Sequence, residues 1–64
     1  MKKYFDILDS LDAKYSDYLF DRDIIFDYYK DDGIITVELN MNHFRVYDDA
    51  TMELFKNEFN KLIK

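Results

Sequence analysis

The sequence predicts one α+β domain in the order α-β-β-β-α: a three-stranded antiparallel meander with two helices packed on one face. Three observations carry this. Apolar residues recur at helical spacing from about Lys2 to Tyr18, the period falls to two from Asp23 onward across an Asp32-Gly33 pair, and helical spacing returns after Asp49. The 64 residues contain no proline, one glycine, no repeat and no low-complexity run. Nothing marks a boundary, so 1–64 reads as a single domain.

In the first helix Tyr4, Leu8, Leu11, Tyr15 and Tyr18 or Leu19 alternate steps of four and three, which places them on one side. Asp6, Asp9, Ala13 and Asp17 fall on the other. After Asp23, Ile24, Phe26 and Tyr28 alternate with Ile25, Asp27 and Tyr29. Beyond the turn Ile35, Val37 and Leu39 alternate with Thr36 and Glu38, the pattern of half-buried strands. Asp32-Gly33 suits a type I′ turn, which needs positive φ at both central residues. That turn sets Tyr28 against Val37 and Phe26 against Leu39.

A second hairpin through Met41-Asn42 is expected to set Leu39 opposite Phe44, Val37 opposite Val46 and Glu38 opposite Arg45, with the third strand at about His43 to Tyr47. Asp48 or Asp49 then caps a second helix whose apolar stripe is Met52, Phe55, Phe59 and Leu62 or Ile63. Lys61 and Lys64 suit the negative end of its dipole. Two helices cover only one face of the sheet. The other is expected to carry Ile25, Asp27, Tyr29, Ile34, Thr36, Glu38, Arg45 and Tyr47, either as an interaction surface or as a solvated face with incidental tyrosines.

The chain has no cysteine, so disulfides and thiolate metal sites are excluded, and a reducing compartment is the natural expectation. Six Tyr and six Phe must supply much of the core. Asp6, Asp9 and Asp12 interrupt the apolar residues near the N-terminus, so neither a signal peptide nor a membrane span is expected. A net charge of −5 disfavours direct binding to nucleic acid or to an anionic membrane and favours a basic partner.

Tests for catalysis fail on residue type. Asp27 with Glu38-Leu39-Asn40 approaches the paired carboxylates of a metal nuclease, but asparagine stands where a lysine is needed. Read as an EF-hand from Asp21, the loop has Ile25 and Phe26 where a ligand and a glycine belong. His43 is the sole histidine, and Ser10 and Ser16 are the only serines, with no glycine-rich elbow. The sequence therefore predicts no enzyme, no cofactor, no metal and no catalytic residues.

What remains is the distribution of acids. Residues 1–49 hold twelve acids and six bases, whereas residues 50–64 hold two acids and three bases. From Ser16 to Gly33 six aspartates face only Arg22 and Lys30. Two residues of extended chain cover roughly 6.6 Å, close to the interval between successive phosphates of a nucleic-acid strand. The expected partner is thus the basic surface of a nucleic-acid-binding protein. Asp21, Asp23, Asp27, Asp31, Asp32 and Glu38 are the candidate charges, with Tyr29 and Tyr47 as aromatic anchors. The alternative is a structural or adaptor module, a homodimer among its forms, that uses the uncovered sheet face.

The element order over this length resembles the double-stranded-RNA-binding domain, a family that relies on basic residues at the start of its second helix. Here Asp48-Asp49-Ala50-Thr51 stands there with the charge reversed, so RNA binding does not carry over. In size, acidity and order of elements the chain is more similar to small acidic phage-encoded inhibitors of the anti-CRISPR and anti-restriction type. That resemblance covers architecture and composition, with no residue motif. It implies a non-enzymatic inhibitor acting in the cytoplasm of a bacterial host cell by occupying a nuclease's nucleic-acid channel.

Overall fold

The order of elements follows the predicted periodicities. A computed structural model of the protein describes residues 2–63. It contains α1 (Lys2–Asp21), β1 (Phe26–Asp31), β2 (Ile34–Leu39), β3 (Asn42–Val46) and α2 (Asp49–Leu62). The strands form one antiparallel sheet in the order β1-β2-β3. Lys64 lies outside the described residues.

The first helix runs three residues beyond its predicted end at Tyr18 because Leu19 continues the apolar stripe and is buried in the core. It stops in a Schellman motif. The Ile24 N–H donates to the Leu19 carbonyl at 2.9 Å and the Asp23 N–H to the Phe20 carbonyl at 3.1 Å, with Asp23 in the left-handed conformation at φ 56°. The side predicted to be polar is only partly so. Asp9 accepts a 2.5 Å hydrogen bond from the Tyr28 hydroxyl, and Phe5 packs on the Tyr28 ring. The face of α1 that meets β1 is thus wider than its leucine stripe.

Both hairpins turn through two residues at positive φ: Asp32 (53°) with Gly33 (79°), and Asn40 (51°) with Met41 (75°). The first gives the predicted register, with Tyr28 against Val37 and Phe26 against Leu39. The second corrects the prediction. The turn is Asn40-Met41, not Met41-Asn42, so Val37 meets Phe44, Ile35 meets Val46, Glu38 meets His43 and Thr36 meets Arg45. A two-residue type I′ turn matches the twist of its strands, and asparagine enters the left-handed region readily. Methionine does not, which is why the sequence conceals this turn. The displacement is two residues, an even number, so each side chain keeps its predicted face while changing partner.

Ile35, Val37, Leu39 and Val46 on the inner face are buried with Leu8 and Leu19 of α1 and Met52, Phe55 and Phe59 of α2. Aromatic contacts tie the layers together. The Phe26 ring lies 5.9 Å from Phe55 and 5.4 Å from Phe59, Phe44 lies 5.6 Å from Phe55, and Tyr15 lies 5.4 Å from Phe59. Asp48 caps α2, accepting from the Thr51 N–H at 2.9 Å, while Thr51 Oγ1 accepts the Asp48 N–H at 3.1 Å. This reciprocal pair is a capping box. Beside it, Asp49 takes the Lys3 ammonium and the Tyr4 hydroxyl, each at 2.9 Å, and so ties α1 to the start of α2.

Two predictions follow from this framework. The space around a Cβ at Gly33 is open, so Gly33→Ala should cost about 1–2 kcal/mol through φ alone. Met41→Gly should recover roughly 1 kcal/mol by the same logic, and denaturant midpoints compare the two variants with the parent. The second prediction concerns pH. The Thr51 backbone N–H holds Asp48 below the usual carboxylate range, and Lys3 followed by Tyr4 does so for Asp49. Groups with depressed values stabilise the fold above their unfolded pKa of about 3.9 and lose that contribution as pH falls through their folded values. Burial, then the Asp9 hydrogen bond, raises the Tyr28 hydroxyl well above the tyrosine range. This group stabilises below its unfolded pKa of about 10 and loses its contribution as pH rises beyond it. Thermal melts across pH should therefore show a plateau between these limits with a fall on either side; a maximum near the pI of 4.6 would contradict the assignment.

Candidate functional site

Alternation along three strands places a small grid of side chains on the face opposite the helices. One row is Asp27, Glu38 and His43, and the next is Tyr29, Thr36 and Arg45. Asp31 stands opposite Ile34 in the last row, and Tyr47 follows the end of β3. Ile25, Tyr29 and Tyr47 are 51%, 53% and 54% exposed. About half of the surface of each of these large apolar or amphipathic groups stays open.

The predicted residues separate into three groups. Asp27, Tyr29 and Glu38 come together at the centre of the face. Asp31, Asp32 and Tyr47 lie toward the Asp32-Gly33 end, where Asp31, Asp32, Ile34, Thr36 and Arg45 line a hollow of about 140 Å³. Asp21 and Asp23 do not join them. They occupy the last turn of α1 and its left-handed cap, at the opposite end of β1. The regular aspartate spacing therefore forms no continuous ladder, because only Asp27 and Asp31 share a strand face, about 13 Å apart at the usual rise.

Counter-charges are also unevenly distributed. Lysines pair with Asp6, Asp49, Glu53 and Glu58, all outside the predicted set. Among the described residues the only basic side chain within 4.0 Å of a predicted acid is the His43 imidazole, whose Nε2 lies 3.8 Å from Glu38 Oε1. The corrected hairpin register accounts for this, since it takes Arg45 from Glu38 and sets it opposite Thr36. Asp27 Oδ1 accepts the Tyr28 backbone N–H at 2.9 Å. Two carboxylates, Asp27 and Glu38, thus face each other across β1 and β2 without an intervening cation.

Asp9 and Asp12, one exposed and one half-buried on α1, add to the charge around the Tyr28 hydroxyl. Sequence reasoning left them out of the site because helical periodicity assigned Asp9 to the far side. The Phe5–Tyr28 pairing is the contact that brings this part of α1 over β1. Asp27 and Glu38 are adjacent, but Asn40 is committed to the turn, and among the described residues no three His, Asp or Glu side chains converge as metal ligands. No helix among the described residues is long and apolar enough to cross a membrane.

Comparison with protein-family models, with curated proteins and with solved structures returns no match to this chain. The Asp27–Glu38 opposition is a stability cost that a substitution can expose. Glu38→Lys should stabilise the fold by roughly 0.5 kcal/mol by turning a like-charge cross-strand pair into an attractive one. Chemical denaturation at low and high salt checks this, the gain shrinking as salt rises.

Proposed function

We propose that this protein is a non-enzymatic binding module whose open, acidic sheet face docks on a basic protein surface. The surface that fits best is the groove in which a bacterial nuclease or another DNA- or RNA-processing enzyme holds its substrate. The observation that carries this reading is the Asp27–Glu38 pair, opposed on neighbouring strands with Asp31 farther along the same face and, among the described residues, no lysine or arginine within salt-bridge distance. Like charges held in this way cost stability in the free protein. A cationic partner relieves that cost and is steered toward the face during encounter. Tyr29 and Tyr47 flank the acids and offer rigid surface that becomes desolvated in a complex. Inhibition then requires no chemistry, only occupation of the place a phosphate backbone would take.

The exposed Ile25, Tyr29 and Tyr47 favour a second reading, an adaptor whose open face pairs with another copy. Solution mass separates the two. A dimer that reverts to the 7.9 kDa monomer in Tyr29→Ala/Tyr47→Ala favours the adaptor.

Displacement of labelled duplex DNA from purified nucleases with basic grooves tests the inhibitor reading. Wild-type protein should compete. A triple variant, Asp27→Asn with Asp31→Asn and Glu38→Gln, should compete about tenfold or more weakly, because these three surface charges contribute up to about 1 kcal/mol each. Raising ionic strength from about 0.1 M to 1 M, where the Debye length falls from roughly 10 Å to 3 Å, should abolish the difference. Equal competition by both proteins at low salt would remove the acids from the function.

A further inference from the structure

We infer that the free edge of β1 is a strand-addition site for an extended basic peptide, which would join the sheet as a fourth strand. The inference rests on the proposed reading that this protein engages a basic partner, and it names how the partner is held. The two-residue turn at Asp32-Gly33 makes Asp31 and Ile34 a hydrogen-bonded pair, so Tyr29 with Thr36 and Asp27 with Glu38 are also hydrogen-bonded pairs. The Asn40 N–H, which donates to the Ile25 carbonyl at 2.8 Å, continues the same phase. The backbone groups of Phe26, Tyr28 and Lys30 therefore point away from β2, along the edge.

Only one of those donors has a partner among the described residues: the Tyr28 N–H, held by the Asp27 carboxylate at 2.9 Å. A carboxylate folded back on its own strand keeps an edge from pairing indiscriminately. It is also a latch that a cationic side chain can open by taking the carboxylate for itself. Acids rim the edge on both faces, with Asp27 and Asp31 on the open side and Asp9 and Asp12 beside Tyr28 on the helix side. Lys30 is the one base on the strand.

The other edge differs. On β3 the outward backbone groups belong to His43 and Arg45, and the Tyr47 N–H is already taken by Thr51 Oγ1 at 3.0 Å. Two β1 edges paired about Tyr29 would oppose Asp27 to Asp31, which disfavours a symmetric dimer in that register. Charge complementarity thus selects a basic strand. An antiparallel partner in register needs cations beside Asp27 and Asp31, four residues apart, and a residue between them that covers Tyr29. Arginine suits that middle position because its guanidinium stacks on an aromatic face.

The probe is a blocked heptapeptide, Thr-Lys-Val-Arg-Val-Lys-Thr, titrated into the full chain labelled with nitrogen-15. In the antiparallel register its two valine N–H groups point at β1. Amide exchange at Phe26, Tyr28 and Lys30 should slow about tenfold or more at saturation, while Asp27, Tyr29 and Asp31, already bonded to β2, change little. The same peptide N-methylated at both valines keeps every charge and cannot pair beside Tyr28 and Lys30, so it should give no such protection at those two amides. If both peptides bind alike and shift only Asp27, Tyr29 and Glu38, strand addition is overturned while the acidic-face reading stands. Binding of neither peptide overturns the strand site, and if DNA displacement also fails, the acidic-face reading falls with it. Protection of the β1 edge that grows with protein concentration in the absence of peptide, together with perturbation of Arg45, would assign the edge to a second copy and overturn the basic-peptide site.

Discussion

Everything on the open face is positioned by the packing of Phe26, Phe44, Phe55 and Phe59 between the sheet and α2. A chain of 64 residues without cysteine has no covalent staple, and domains of this size sit near the limit at which burial outweighs conformational entropy. Each large apolar side chain taken fully out of water contributes roughly 1.5–3 kcal/mol. The aromatic layer therefore supplies a large part of what holds the strands in register. It also explains why one face of the sheet can be left open, since a single-sided core suffices for a three-stranded antiparallel sheet.

Against that background the chain carries three local costs, of which one lies on the open face. Asp27 opposes Glu38, Met41 holds a left-handed φ, and Asp21 and Asp23 sit at the negative end of the α1 dipole with no basic residue in its last turn. Arg22 partly offsets the last of these by donating to the Tyr18 carbonyl and stacking on the Tyr18 ring at 3.6 Å. Sequences generally agree with their folds at every level except where function or strain intervenes. The acids of the sheet face depart from that agreement, whereas Asp48 and Asp49 conform to it, since they stabilise the N-terminus of α2.

The same residues also show why acidity alone is a coarse guide to a site. Of the six aspartates between Ser16 and Gly33, Asp17 lies on the exposed surface of α1, Asp23 forms its cap and Asp32 occupies a turn. Asp27 alone stands directly opposite another acid on the open face. Regular spacing along a chain becomes regular spacing in space only while the backbone conformation stays constant, and here it passes from helix through a cap into a strand.

The sequence by itself determined the order of elements, the first hairpin and its register, the capped second helix and which side chains share a sheet face. These follow from short-range rules: periods of 3.6 and 2, an Asp-Gly turn, and an Asp48 cap. The partners across the second hairpin did not follow, because Asn40-Met41 carries only half of a recognisable turn signal and a shift of two preserves the alternation that pattern reading detects. The Asp9–Tyr28 bond and the isolation of Glu38 from Arg45 were likewise settled only in three dimensions. The first depends on the packing of α1 over β1, between residues remote in sequence, and the second on the register of a turn that local propensity does not signal.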